Sequence, residues 1–290
     1  MRTLTNFHPV VLLFYFVGTV LITMFTVHPV FLTLSFLGAI CLAVALESFW
    51  IVLKSLGFYL LMILLIAVTN PIFSHQGVTI LFSIGDHPIT LESILYGLDV
   101  GGMIVSVLFW CRCYTHIVTS DQFIYLFGRA FPRLSLVLSL ALRLVPLFIA
   151  QAKKIYQVQR TMGLYTTNSK LERLRGGLRA FTVVLTWSLE NAVDTAASMS
   201  ARGYGLPGRS SFALVRFTHR DVSALVLLSV LFFGTFWNML GSRAAFHFYP
   251  CIDNISVAPL DMACYFIAIV VVFFPCVIEI KETLVWKYFR

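Results

Sequence analysis

The chain has 290 residues, 59 % of them hydrophobic and 12 % charged. Soluble domains carry about a quarter charged residues, so this composition excludes an ordinary soluble domain and points to a polytopic membrane protein. The formal net charge of +8 therefore bears on membrane orientation before nucleic acid, and six scattered cysteines without a CxxC pair give neither a zinc site nor a disulfide framework a pattern to rest on.

Residues 10 to 26 form a first uncharged run, rich in Val, Leu and Phe and about as short as a span allows. One basic residue, Arg2, precedes it and no small-residue cleavage pattern follows, so it does not read as a signal peptide. After His28-Pro29, residues 29 to 46 form a second run. Glu47 and Lys54 bracket a polar interruption, and residues 55 to 74 form a third run that Asn70-Pro71 should close, because proline stops a helix. Residues 75 to 93 hold Gly77, Gly85, Asp86, Pro88 and Glu92 and read as a loop without Lys or Arg. A fourth helix is expected from about 94 to 118. It carries Asp99 and Arg112 where each reaches an interface rather than the bilayer centre, and Gly101-Gly102 reads as close helix packing.

The composition then changes. Residues 119 to 220 hold 14 of the 21 Lys and Arg residues against four acidic ones. A short amphipathic helix from about 120 to 131 stops at Pro132, and a long helix from about 133 to 163 follows, bent near Pro146. Thr166-Thr167-Asn168 links it to a second long helix over 169 to 205, opened by Ser169 and Glu172 as a capping box and closed by Gly203. On that helix Leu171, Leu174, Leu178, Phe181, Leu185, Leu189, Ala192, Ala196 and Met199 recur at steps of three or four and share one face, large at its start and small at its end. Both long helices carry apolar stripes, so they are expected to bury themselves on each other and against the underside of the spans. Pro146, Ala192 and Ala196 are the packing positions. Two further spans follow, at 222 to 242 and about 262 to 278.

Basic residues collect on the cytoplasmic side of membrane proteins. With the N-terminus inside, the 75–93 and 243–261 loops lie outside and the basic segment inside. Making 134 to 152 a seventh span would send the cluster from Lys153 to Arg179 outward and put Arg143 in the bilayer, at roughly 2.5–3.5 kcal/mol. The expected fold class is therefore an all-α polytopic membrane protein. Residues 1–118 form a four-helix transmembrane region, 119–220 a cytoplasmic domain of two long helices and one short one, and 221–290 a two-helix transmembrane region, giving about six transmembrane helices.

The two long helices end alike, in Gln159-Arg160-Thr161-Met162-Gly163 and in Ala201-Arg202-Gly203-Tyr204-Gly205. Further local patterns are Asn70-Pro71-Ile72-Phe73-Ser74-His75-Gln76-Gly77, Ile89-Thr90-Leu91-Glu92, Thr119-Ser120-Asp121 through Phe127-Gly128-Arg129, Ala141-Leu142-Arg143-Leu144-Val145-Pro146, and Leu206-Pro207-Gly208-Arg209. In these the chain resembles, over roughly residues 5 to 245, the transmembrane coupling (T) component of energy-coupling-factor (ECF) vitamin and metal importers, the CbiQ-like family. The resemblance implies a non-catalytic subunit in the cell membrane of a prokaryote. Its implied partners are two ABC ATPases, which bind the ATP and Mg, and a small membrane substrate-binding (S) subunit. It further implies that two Ala-Arg-Gly-type motifs dock in grooves of the two ATPases. Ala201, Arg202 and Gly203 supply the second intact. The first, Thr161-Met162-Gly163, has methionine where arginine is usual, and two alternatives stay open: Arg160 supplies the charge, or Met162 acts as an apolar peg.

Other classes find less support. The seven histidines are never at HxxxH spacing, there is no GxxxxGK[ST] loop for ATP, and the basic segment is accounted for by anionic lipid and an acidic ATPase surface rather than nucleic acid. Glu190 and Asp194, four apart, read as intrahelical or interfacial salt links. The competing class is an intramembrane enzyme acting on a lipid or isoprenoid, which calls for convergent acids or metal ligands; neither a DDxxD nor paired histidines occur.

Overall fold

The computed structural model describes residues 7–73, 77–84, 87–128, 131–163, 170–206, 217–240, 246–250, 252–253 and 258–288. In chain order the elements are α1 (Pro9–Phe25), α2 (Pro29–Leu46), α3 (Phe49–Phe73), β1 (Ile80–Ile84), β2 (His87–Thr90), α4 (Leu91–Ile117), α5 (Ser120–Gly128), α6 (Pro132–Thr161), α7 (Lys170–Ala201), α8 (His219–Leu240) and α9 (Pro259–Tyr288). They fall into two compact units: Met1–Gln122 with Val215–Arg290, and Phe123–Leu214.

The first unit is a bundle with α4 packed on α1, α2 and α3, and with α9 on α2 and α8. Its fully buried side chains include Phe109, Trp110 and Ile117 of α4, Leu42 of α2, Leu228 of α8 and Val271 of α9. Glycines let these helices approach. A Cβ on Gly38 would lie 1.9 Å from Val272 Cγ1, and one on Gly101 would lie 3.2 Å from the Ile63 Cα, so the α2 backbone meets a side chain of α9 and the α4 backbone meets that of α3. Hydroxyls satisfy one another inside this apolar core. Trp110 Nε1 donates to Ser35 Oγ at 3.0 Å, Ser35 Oγ lies 2.6 Å from Thr23 Oγ1, and the Tyr15 hydroxyl donates to the Val271 carbonyl at 3.2 Å.

α1 and α2 begin alike. His8 and His28 each cap the helix that a proline opens, their Nδ1 atoms accepting from the Val10 and Val30 amides. Asp221 joins two helix starts: one oxygen accepts from the His8 amide at 2.9 Å, the other from the Thr218 amide and hydroxyl.

The structure departs from the sequence reading in several places. The 75–93 stretch is not wholly a loop, since β1 and β2 pair antiparallel within it, and α4 starts at Leu91, where Thr90 Oγ1 caps it by accepting from the Ser93 amide. Pro71 does not end α3 at once: the helix runs to Phe73 and takes in Lys54 near its start. A proline in the last turn removes one hydrogen bond without a further turn to disrupt. α9 is much longer than 262–278 and takes in Lys281 and most of the tail. Ser169, Thr166-Thr167-Asn168 and Pro207-Gly208-Arg209 lie outside the described residues.

The protein is polytopic and, among the described residues, helical apart from one hairpin. Among those residues six helices are long and apolar enough to cross a membrane: α2, α3, α4, α6, α8 and α9. The number agrees with the sequence reading but the membership differs. α1, at 17 residues, is shorter than these, while α6 qualifies on length and composition. The expectation had been the reverse, since α6 carries Arg133, Arg143, Lys153, Lys154 and Arg160.

Candidate docking site

In the second unit α6 and α7 pack on each other, the N-terminal half of α6 beside the C-terminal half of α7. The Phe148 ring lies 5.9 Å from that of Trp187, and toward the N-terminus of α6 a groove of about 630 Å³ opens between Leu140–Leu147 and Asn191–Arg202. Arg143, Asp194, Ala192, Ala196, Met199 and Arg202 all line it. Ala192 and Ala196, expected as close-packing positions, face this open space instead. Leu171, Leu174, Leu178, Phe181, Leu185 and Leu189, at the large-residue end of the stripe, are exposed, and so are Ala192 and Ala196 at its small-residue end, so the expectation that this stripe buries itself on α6 is corrected. Pro146 remains inside α6 with its ring exposed. Glu190 and Asp194 form no ion pair among the described residues.

Along its own helix, the last residue of α6 and the last of α7 each lie about 20 Å beyond the Phe148–Trp187 contact at 1.5 Å per residue. Both close with a left-handed glycine: Gly163 has φ 75° and Gly203 φ 76°. In α7 the Gly203 amide donates to the Ser200 carbonyl at 3.0 Å and the Tyr204 amide to the Met199 carbonyl at 3.0 Å, the paired bonds of a Schellman turn. In α6 the Gly163 amide donates to the Arg160 carbonyl at 3.1 Å and the Met162 amide to the Val158 carbonyl at 3.1 Å. Aligned on the glycines, Thr161 matches Ala201, Met162 matches Arg202, and Arg160 matches Ser200.

All of Arg160, Thr161, Met162, Gly163, Ala201 and Arg202 are exposed. The Arg202 guanidinium has no ion pair or hydrogen bond among the described residues. Such a group, flanked by Ala201 and Gly203, offers a flat fork of donors to a carboxylate brought from outside.

Two features escaped the sequence reading. Glu47, the C-cap of α2, accepts from Arg112 Nε at 2.9 Å and lies 2.6 Å from His116 Nε2, while Arg112 Nη1 donates to Ser55 Oγ at 2.8 Å. Arg112 and His116 lie one turn apart, which was a readable hint, but their acid is 65 residues away from Arg112. Asp99, expected to reach an interface, is 5 % exposed and makes no hydrogen bond or ion pair among the described residues.

The sequence profile of the CbiQ family, described as cobalt transport protein, matches residues 2–214. The chain belongs to this CbiQ family. The match takes in both glycine-capped tips and stops before α8, short of the limit near residue 245 read from the sequence. The chain is also similar to proteins named energy-coupling factor transporter transmembrane protein EcfT. It is 33 % identical to that of Listeria innocua serovar 6a over 106 residues, 36 % of this chain and 40 % of the relative. It is 30 % identical to that of Bacillus subtilis strain 168 over 100 residues, 34 % of this chain and 38 % of the relative. A longer match, 23 % identical over 186 residues, covers 59 % of this chain and 69 % of the Leuconostoc gelidum relative. The chain thus spans about two fifths of the length of the first two relatives.

Proposed function

We propose that this CbiQ-family chain is the transmembrane coupling subunit of an ECF-type importer. Its partners are two ABC ATPases and a small membrane S subunit, and its cargo is a vitamin or metal ion held by that subunit. ATP and Mg bind the ATPases, and this chain does no chemistry of its own. Residues 1–118 and 221–290 lie in the cell membrane of a prokaryote, with the N-terminus and the 119–220 coupling domain on the cytoplasmic side, as the basic excess of that segment requires.

The observation that carries the reading is the pair of glycine-capped helix tips, one of them bearing an Arg202 without a partner among the described residues. Two such tips suit two motor subunits. The exposed large-residue face of α7 supplies the third contact, since six apolar side chains in a row need a cover, and the S subunit is that cover. ATP-driven closure of the ATPases then moves the tips. The hairpin acts as a lever and its apolar face reorients the S subunit, with Ala192 and Ala196 giving room for α6 and α7 to slide in their groove.

Arg202→Ala tests this in native membranes. Truncating one member of a buried charge pair costs about 2–5 kcal/mol, so ATPase association and uptake should fall sharply while the chain still inserts. Normal uptake and normal co-purification of both ATPases with the variant would remove Arg202 from the mechanism, and a purified complex without ABC ATPases would remove the reading.

A further inference from the structure

The two tips share a backbone but not a side chain, and the difference assigns a chemistry to the partner of each. Resting on the reading above, we propose that the α6 tip engages its ATPase through Met162 as an apolar peg, in a groove without an acidic anchor, while only the α7 tip docks by an ion pair. Met162 is the last near-helical residue before Gly163, with φ −78° and ψ 4°. It stands where Arg202 stands before Gly203, and it is 72 % exposed. An unbranched thioether is the side chain best able to fill an irregular apolar slot.

Arg160 does not take over the missing charge. It lies two residues before Met162, about 200° around the helix at 100° per residue, so it leaves the tip on the side away from the Met162 position. Its counterpart in α7 is Ser200, which turns back to the Ala197 carbonyl at 2.8 Å and takes no part in the tip. A charge launched from there would have to wrap around the helix end to reach a groove built for the position before glycine.

The test uses the assembled complex, with a photo-reactive residue at position 161 or at position 201, and reads the yield of ATPase adduct. At position 161 the yield should fall about tenfold or more with Met162→Ala, as loss of a buried Met implies. It should survive Met162→Leu, fall with Met162→Arg, and change little between about 0.1 and 0.5 M salt, because an apolar contact is not screened. At position 201 the yield should fall with salt and with Arg202→Ala, and should hold in the Met162 variants, which also reports that the hairpin is folded. A yield at position 161 that rises with Met162→Arg, or that Arg160→Ala abolishes, would overturn the apolar peg. Absence of any ATPase adduct at both positions in the otherwise unaltered complex overturns the coupling-subunit reading itself, and the peg with it.

Discussion

Glu47 is 6 % exposed along its side chain, and what keeps it there is the Arg112 fork on one side and His116 on the other. Removing one partner of such a pair leaves a desolvated charge, which typically costs about 3–5 kcal/mol. Arg112→Ala should therefore lower the melting temperature of the purified chain in detergent markedly, and Arg112→Lys should recover only part of it, because a lysine cannot present the planar fork that also reaches Ser55. Asp99 is the opposite case, a buried carboxylate with no partner among the described residues. Asp99→Asn removes the charge at nearly constant shape, so melting should stay level or rise; a clear loss would show that the carboxylate is used. At the α7 tip, Gly203 at φ 76° tolerates no branched residue. Gly203→Val costs roughly 1–2 kcal/mol in the left-handed region, relieved by unwinding the last turn, and the readout is loss of ATPase association without loss of insertion.

At the scale of elements, contact geometry separates helices that pack from those that wait for a partner. α2 and α9 cross at Gly38, where an added Cβ overlaps the Val272 side chain. Gly38→Leu should therefore push the helices apart and cost about 1–3 kcal/mol or more, read as a lowered melting temperature. α7 gives the complementary result. Its Leu185 faces solvent in this chain, so Leu185→Glu should leave melting unchanged while S-subunit binding is lost; unchanged binding would remove that face from the interface.

For the whole molecule, pH acts through two histidines at helix starts. His8 is pulled below its usual 6.5 by burial, against the opposing pull of Asp221, and His28 likewise by burial, against Asp261. Both cap helices of the bundle, and His28 Nε2 also lies 3.2 Å from the Tyr265 hydroxyl on α9. A folded pKa below the unfolded one means that the unfolded chain binds more protons near pH 6. Their contribution is complete above about 6.5 and is lost as the pH falls from there through the lowered folded values. The bundle should melt lower at about pH 5.5 than at about pH 7.5, and His28→Gln should flatten that dependence. A melting temperature that rises on acidification would contradict the assignment.

Much of this was legible in the chain alone, because the bilayer imposes a length and a polarity on every span and glycine alone ends a helix cheaply in the left-handed region. Hydropathy gave α2, α3, α4, α8 and α9 to within a few residues at most ends, and Gly163 and Gly203 marked both tips. The local motifs were enough to reveal the CbiQ family. What hydropathy left undecided was α6, whose apolar run and five cations satisfy two opposite rules at once. Only the folded chain decided which partners meet across long separations: Glu47 with Arg112, Asp221 with His8, Gly38 with Val272. It also decided that the α7 stripe stays exposed at both ends, with Ala192 and Ala196 lining an open groove beside α6. Periodicity states that a helix has an apolar face. Which neighbour covers that face depends on contacts between segments far apart in sequence, and no local pattern encodes those.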